Sequence, residues 1–262
     1  MKSLLSSIAF LSIFIACKSN TTNSTDTTRS EKNIANATAI TSDGGGDCAS
    51  LLLFKEGAVI NGHTLDAQGK ETSTSVTTIT KVSNVSGAEV SEVEIKTHSA
   101  TLADYKSTGK YMCDGKMLSY DMSGFLASLQ KKGTKIETPV VQFPINVSEG
   151  EALPDASYSF TTTMGTKSMK VTCVIKNRKV EAKESITTPA GTFEAYKISN
   201  DVDSKMEMDG TDEKMKTMME AMKDKMPKIH YVMWYVPSVT VVKMEMYTGD
   251  KISSTSEITS IK

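Results

Sequence analysis

The chain has 262 residues, 30 of them basic and 31 acidic, so its net charge at pH 7 is −1. This balance excludes a strongly basic or strongly acidic protein and implies neither a basic face for nucleic acid nor an acidic tail. The length suits one large β domain or two small domains with a buried core.

The first seventeen residues have the composition of a secretory signal. Lys2 supplies a positive charge, and residues 4–16 form an apolar run that is rich in small residues. That run is too short for a membrane-spanning helix, which needs about 20 residues. The last four residues, Phe14 to Cys17, resemble the lipobox of bacterial lipoproteins, in which the Cys is acylated. An ordinary signal peptide followed by an accidental Cys is the alternative. We predict a signal peptide over residues 1–16 and lipidation of Cys17, which would attach the chain to a membrane.

Residues 17–47 are predicted to be the lipidated Cys followed by a flexible, disordered linker. Ser, Thr, Asn and Ala dominate this segment, and no apolar period runs through it. Such a composition buries too little apolar surface to offset the entropy of ordering. A coil of this length reaches about 30 Å on average. Lys18 follows the Cys, whereas lipoproteins retained in the inner membrane usually have Asp there. That resemblance implies the outer membrane, in either its periplasmic or its surface-exposed leaflet.

From residue 48 on, the sequence is typical of short strands separated by turn residues. The predicted strands cover residues 58–65, 72–82, 90–97, 111–113, 116–118, 140–145, 158–164, 169–175, 176–186, 193–199, 229–236, 241–247 and 252–261. In the second strand the alternating residues are Val76, Thr78, Thr80 and Val82. A sheet of so many strands has to curl or split. We therefore predict a mainly β fold for residues 48–262: one large, antiparallel, strongly curved sheet, a half-barrel or open barrel.

Two local signals refine this prediction. Asp114-Gly115, between two short strands, predicts a type I′ turn, which requires a positive φ angle at both residues. Val90 and Val93 break the two-residue period of their strand, which indicates a β-bulge in that strand.

Two helices are predicted within the β domain. Residues 211–226 carry methionines on one helical face, and Pro227 ends the segment. These methionines are Met215, Met218, Met219, Met222 and Met226. Thioethers bind Cu(I), but flexible methionine side chains also fill gaps or bind apolar partners. We interpret the stripe as an apolar cover inserted beside the sheet. A second, short helix is predicted near residues 122–132.

Three cysteines remain after Cys17. Cys48 opens the β domain and Cys113 precedes a tight turn, so we predict that these two pair in an oxidising envelope compartment. Cys173 alternates with apolar residues and is interpreted as a buried small hydrophobe. A reactive thiol is the alternative there.

No motif in the chain predicts an enzyme, a cofactor or a metal site. The His residues, at positions 63, 98 and 230, are dispersed, whereas zinc needs three or four converging ligands. Phosphate-binding loops, nucleophile elbows and dinucleotide fingerprints do not occur in a suitable setting. Trp234 is expected in the core or rim of the sheet, in contact with an apolar ligand or the methionine cover.

Three stretches of the β domain form a recognisable set. They are Asp-Ala-Gln-Gly-Lys at residues 66–70, the segment 177–198 with its Thr-Pro-Ala-Gly-Thr-Phe turn and strand, and the segment 234–245. Together they resemble the TapB-like family of secreted and lipidated bacterial proteins, over residues 48–262. The resemblance implies a curved, mostly antiparallel sheet similar to the half-barrels of lipoprotein carriers, and it implies no catalytic residues.

These observations lead to one function and one alternative. We predict a non-enzymatic outer-membrane lipoprotein whose curved sheet binds an apolar or lipid-like ligand on its concave face. The alternative is an interaction module that docks on another envelope protein, with its concave face filled by side chains. In both cases the lipid anchor contacts the membrane, and nucleic acid is not a partner.

Overall fold

The structure is a computed structural model that describes residues 47–262 except 101–102, 122, 125–134, 138–139, 165–166, 209, 211–216 and 218–227. Within these residues the chain forms thirteen strands of a single sheet. The strands are β1 (Val59–Asp66), β2 (Glu71–Val85), β3 (Ala88–Ser99), β4 (Tyr105–Cys113), β5 (Met117–Asp121), β6 (Lys135–Glu137), β7 (Val140–Pro144), β8 (Ala156–Met164), β9 (Lys167–Thr188), β10 (Gly191–Met208), β11 (Ile229–Val236), β12 (Thr240–Thr248) and β13 (Lys251–Ile261).

The sheet curls until it nearly closes into a barrel. Its strand order is β6-β8-β9-β10-β11-β12-β13-β1-β2-β3-β4-β5-β7, and all pairings run antiparallel. Sheets of more than about ten strands seldom stay flat, and here β7, at one edge, contacts β8, next to the other edge. The inner face therefore encloses the interior of the barrel, which we call the lumen. The prediction of one curved antiparallel sheet is confirmed.

One end of the barrel is closed by two short 3-10 turns, Cys48–Ser50 and Leu52–Phe54, which we call the plug. The plug buries Leu51, Leu53 and Phe54. The Leu52 amide donates to the Ser238 carbonyl at 2.8 Å, which fixes the plug beside the β11–β12 turn. The turn between β1 and β2 and the turn between β12 and β13 therefore lie at the opposite end, which we call the far end.

A disulfide joins Cys48 of the plug to Cys113 of β4, with the two Cα atoms 5.8 Å apart. This is the pair predicted from the sequence. The Gly115 amide also donates to Cys48 Sγ at 3.1 Å, so the plug is fixed to the β4–β5 turn as well.

The tight turns differ in detail from the sequence prediction. In the β4–β5 turn Gly115 has a positive φ of 85°, but Asp114 does not, and its carboxylate instead accepts the amides of Lys116 and Met117 at 2.9 and 2.7 Å. Asp114-Gly115 is therefore not a type I′ turn. Two positive φ angles occur instead at Ser86 and Gly87, between β2 and β3, at 52° and 88°.

The irregularities of the longest strands bend the sheet. The predicted bulge lies in β2 rather than in β3. Ile79 faces Val93 whereas Lys81 faces Glu92, so β2 contains one extra residue that has no partner in β3. In β9, which continues without a break through both predicted strands, Asn177 has a positive φ of 53°. Asn tolerates this left-handed conformation better than most residues.

The two predicted helices receive no support from the structure. Within the two segments, helical residues are described only at Ser123–Gly124 and Thr217, and most of the rest, including all five methionines of the stripe, lies outside the described residues. The predicted signal peptide, Cys17 and the linker up to residue 46 also lie outside them. In the part of the chain that the structure describes, no helix has the length and apolar character needed to cross a membrane.

Candidate functional site

One side of the lumen is lined by hydroxyl side chains. They project from β13, β1, β2, β3 and β4 in the half of the barrel nearer the far end, and we call them the hydroxyl wall. Its members are all buried: Thr64, Ser73, Ser75, Thr77, Thr97, Ser99, Ser107, Ser254 and Ser256. Towards the plug the same face becomes apolar, with Ile60, Ile79 and Val93. The lumen therefore changes from apolar to polar along its length on this side.

Some members of the hydroxyl wall lack hydrogen-bond partners. Thr64 Oγ1 pairs with Ser256 Oγ at 3.0 Å. In contrast, the hydroxyl oxygens of Ser75, Thr77 and Ser107 have no partner among the described residues, although their residues are only 3, 0 and 3 % exposed. We call these three the hydroxyl patch. A buried hydroxyl without a partner costs about 1–3 kcal/mol. Nearer the plug, the hydroxyl oxygens of Ser91, Tyr235 and Ser238 also have no hydrogen-bond partner among the described residues.

The opposite side of the lumen is mostly apolar and polarisable, with the buried Asn200 as a polar exception, and we call it the apolar wall. It comprises Val171, Cys173, Ile198, Val202, Tyr231, Met233 and Met244, all of them buried. Ile198 faces Met233, which in turn faces Met244, so these side chains form one row across three strands. The Tyr231 hydroxyl donates to Met246 Sδ at 3.3 Å. Burial raises the pKa of Tyr231 well above its ordinary value, so this wall stays uncharged at neutral pH.

Cys173 is a free thiol within the apolar wall. It is fully buried, and its Sγ lies 3.6 Å from Ser204 Oγ. Burial raises the pKa of the thiol, against the smaller opposing effect of its contacts with Tyr158 and Ser204. The thiolate is the reactive form, so both burial and protonation make Cys173 unreactive. The prediction of a buried small hydrophobe is confirmed for this residue.

We expect Cys173 in the folded protein to react with a small thiol reagent at pH 8 at least about 100-fold more slowly than in denaturant, because the reagent reaches it only through local opening. The measurement follows reagent release in the mature chain carrying Cys17→Ser, with and without urea. The same chain with Cys173→Ser should release none in urea. Equal rates in the folded and unfolded states would contradict the described burial.

The seam where the sheet edges meet is held by a buried arginine, Arg178 of β9. Its Nη1 donates to the Pro154 carbonyl at 2.7 Å, and its Nη2 donates to the Gln142 carbonyl of β7 at 3.0 Å. The guanidinium lies 4.7 Å from the centre of the Phe143 ring. Desolvation lowers the pKa of Arg178 to about 10, so the group remains protonated at neutral pH. Arg178 is the one charged side chain among the buried residues that the structure describes.

Trp234 lies on the outer face of β11 and not on the lumen. It shares that face with His230 and Val232, whereas Tyr231 and Tyr235 point inwards. Its indole Nε1 donates to Glu184 Oε1 at 2.6 Å. The Nζ atoms of Lys197 and Lys243 lie 5.7 and 4.9 Å from the ring centre. Trp234 is buried as expected, but the structure does not bring it together with the apolar wall, so the expected ligand contact is not supported.

Each of the three histidines pairs with a carboxylate on the outer face. His63 lies 3.2 Å from both Glu71 and Glu257, His98 lies 2.6 Å from Asp104, and His230 lies 2.9 Å from Asp201. Over the described ranges, no group of three or more His, Cys, Asp or Glu side chains is arranged to hold a metal ion.

The comparisons with known proteins agree with the fold. The family profile described as DUF3108-like matches residues 55–258. A crystal structure from Parabacteroides distasonis, described as that of a putative lipoprotein, is 19% identical, with a TM-score of 0.60, and the alignment covers 80% of this chain and 96% of that one. A structure from Bacteroides fragilis, titled "putative exported protein with YmcC-like fold", is 17% identical, with a TM-score of 0.58 and coverage of 79% and 96%. No curated protein matches the chain. The TapB-like resemblance stays a prediction.

Proposed function

The chain belongs to the DUF3108-like family, and from this premise we propose that it is a lipid-anchored outer-membrane protein that binds a lipid-like ligand in its lumen. In this proposal the protein is not an enzyme: it holds its ligand without changing it. The similarity to the structures described as a putative exported protein and a putative lipoprotein supports a place in the cell envelope.

The observation that carries the proposal is the division of the inner face into an apolar wall and a hydroxyl wall. Ligand pockets are mostly apolar, with a few polar groups that fix orientation. Met233 and Met244 add flexible, polarisable contacts, which adapt to alkyl chains of different shapes. The plug closes one end of the lumen, so a ligand would enter from the far end.

We expect a neutral apolar dye such as Nile red to bind the mature chain, and Met233→Ala to weaken that binding about tenfold. Removing most of a buried methionine side chain removes apolar contact with the ligand, which should weaken the binding free energy by about 1.4 kcal/mol or more. Met112, which is 39 % exposed, provides the matched control: Met112→Ala should leave the affinity unchanged. The measurement is a fluorescence titration, with circular dichroism to verify that each variant is folded.

Two results would count against lumen binding. One is the absence of any dye uptake by the wild-type chain, and the other is an equal affinity for the wild type and Met233→Ala. If dye uptake were absent and crosslinking in cells trapped a single envelope protein, the interaction module would be the better description.

The anchor is tested separately. Cys17→Ser should abolish incorporation of labelled palmitate and move the protein from the membrane fraction to the soluble periplasmic or secreted fraction, because two or more acyl chains hold a protein stably at a membrane. The replacement of Ser19 by Ala is the control and should change neither result. Unchanged membrane association of Cys17→Ser would refute the anchor.

A further inference from the structure

The hydroxyl patch has a definite size and shape. Thr77 of β2 faces Ile95 of β3, which faces Ser107 of β4, so the two hydroxyls lie two strands apart. Ser75 is two residues from Thr77 on the same face of β2. With about 4.8 Å between neighbouring strands and about 6.8 Å between alternate residues, the patch spans about 10 by 7 Å. A glycerol unit or a single sugar ring has similar dimensions.

Folding alone does not account for this patch. Native cores contain few buried polar groups without partners, and Ala or Val at these positions would fill much the same space without leaving an unpaired hydroxyl. Three such groups on neighbouring strands therefore indicate a hydrogen-bonding ligand. Each hydroxyl both donates and accepts, so the patch suits a ligand group that does both.

The charges of the inner face restrict that ligand further. Arg178 is the one buried charged side chain in the described ranges, and both of its described hydrogen bonds go to backbone carbonyls. Arg178 is thus engaged at the seam, and none of the residues of the hydroxyl wall or the apolar wall carries a charge that could balance a carboxylate or phosphate. Burying an uncompensated charge is far more costly than burying a hydroxyl, so the lumen disfavours charged head groups.

We propose that the hydroxyl patch binds the uncharged polyol head group of a neutral amphiphile, while the alkyl chain lies against the apolar wall. This inference rests on the proposed function, since it requires that the lumen accept a lipid-like ligand. It names the ligand class: amphiphiles with a glycerol ester or glycoside head group, in preference to free fatty acids.

The test compares three ligands with the same ten-carbon chain, each below its critical micelle concentration. They are a monoacylglycerol, an alkyl glucoside and the free fatty acid, and their Kd values are measured by displacement of Nile red from the mature chain carrying Cys17→Ser. We expect at least one neutral ligand to bind at least about tenfold more tightly than the fatty acid. The glycerol and glucoside arms distinguish an ester head group from a sugar.

A triple variant tests whether the hydroxyl patch causes this preference. Ser75→Ala combined with Thr77→Val and Ser107→Ala should abolish the preference, keep Nile red affinity and raise the melting temperature of the ligand-free protein. Thr78→Val, on the other face of β2, is the matched control and should keep the preference. Equal binding of all three ligands by the wild type, or a preference that persists in the triple variant, would overturn the inference. Failure of Nile red to bind the wild type would instead overturn the proposed function.

Discussion

Arg178→Ala is expected to lower the free energy of unfolding by about 3–5 kcal/mol, because it removes two charge-assisted hydrogen bonds to backbone carbonyls, each worth about 1.5–3 kcal/mol. The affected carbonyls, those of Gln142 and Pro154, belong to the seam. The loss should therefore be local as well as global. In hydrogen exchange, the amides of β7 should open before those of β2 or β12. Urea unfolding followed by circular dichroism measures the global effect.

Two further variants separate the geometry of Arg178 from its charge. Arg178→Lys keeps the charge but not the planar fork, so it should recover only part of the lost stability. Lys179, next in sequence, is 53 % exposed and pairs with Glu181, and Lys179→Ala should cost less than about 1 kcal/mol. If Arg178→Ala were no more destabilising than Lys179→Ala, the seam would not depend on the buried guanidinium.

Loss of the Cys48–Cys113 disulfide is expected to lower the free energy of unfolding by about 2–4 kcal/mol, since the bond closes a long loop in the unfolded chain. The two cysteines are 65 residues apart. The bond also holds the plug against β4, so reduction should expose Leu53 and Phe54 at the closed end. We expect faster hydrogen exchange in the plug than in the barrel strands.

The measurement compares urea unfolding with and without a reductant. The double variant Cys48→Ala/Cys113→Ala serves as the control, because its stability should match that of the reduced wild type and should not respond to the reductant. A reductant effect of equal size in the double variant would assign the stabilisation to some cause other than this disulfide.

Most of the strands were predictable because they follow local rules. Met169, Val171, Cys173 and Ile175 alternate along the first part of β9 and mark it directly, and the curled sheet follows from the number of strands. Turn chemistry was less decisive: Ser86-Gly87 and Asp114-Gly115 are both plausible type I′ sequences, and only the first has two positive φ angles. The carboxylate of Asp114 instead binds the amides that follow it, which favours a different turn.

The hydroxyl wall was not predicted, because β2 buries the face that looks less apolar. Val76 belongs to the alternating set that marks the strand, yet it is 37 % exposed, whereas Ser75 and Thr77 are buried. The buried face of β2 is set by its pairing with β1 and β3, which places Thr77 between Ile60 and Ile95. A single strand carries no information about these partners, so its own pattern indicated the wrong face.

The partners of Arg178 and Trp234 were not predicted, for a related reason. The partners of Arg178 lie 24 and 36 residues away, and the acceptor of Trp234 lies 50 residues away. Neither relationship has a spacing that a sequence pattern reveals. Arg178 stands beside Lys176 and Lys179 in β9, so the sequence does not mark it as the buried member of this charged stretch.

The most direct measurement of lumen binding is native mass spectrometry of the mature chain extracted gently from the cell envelope. The proposed function predicts a second mass, larger than that of the lipidated protein by one lipid, which dissociates on activation. It also predicts that Met233→Ala lowers the occupancy of this species. A single mass equal to that of the lipidated chain, in preparations that also take up no Nile red, would contradict a lipid-binding lumen.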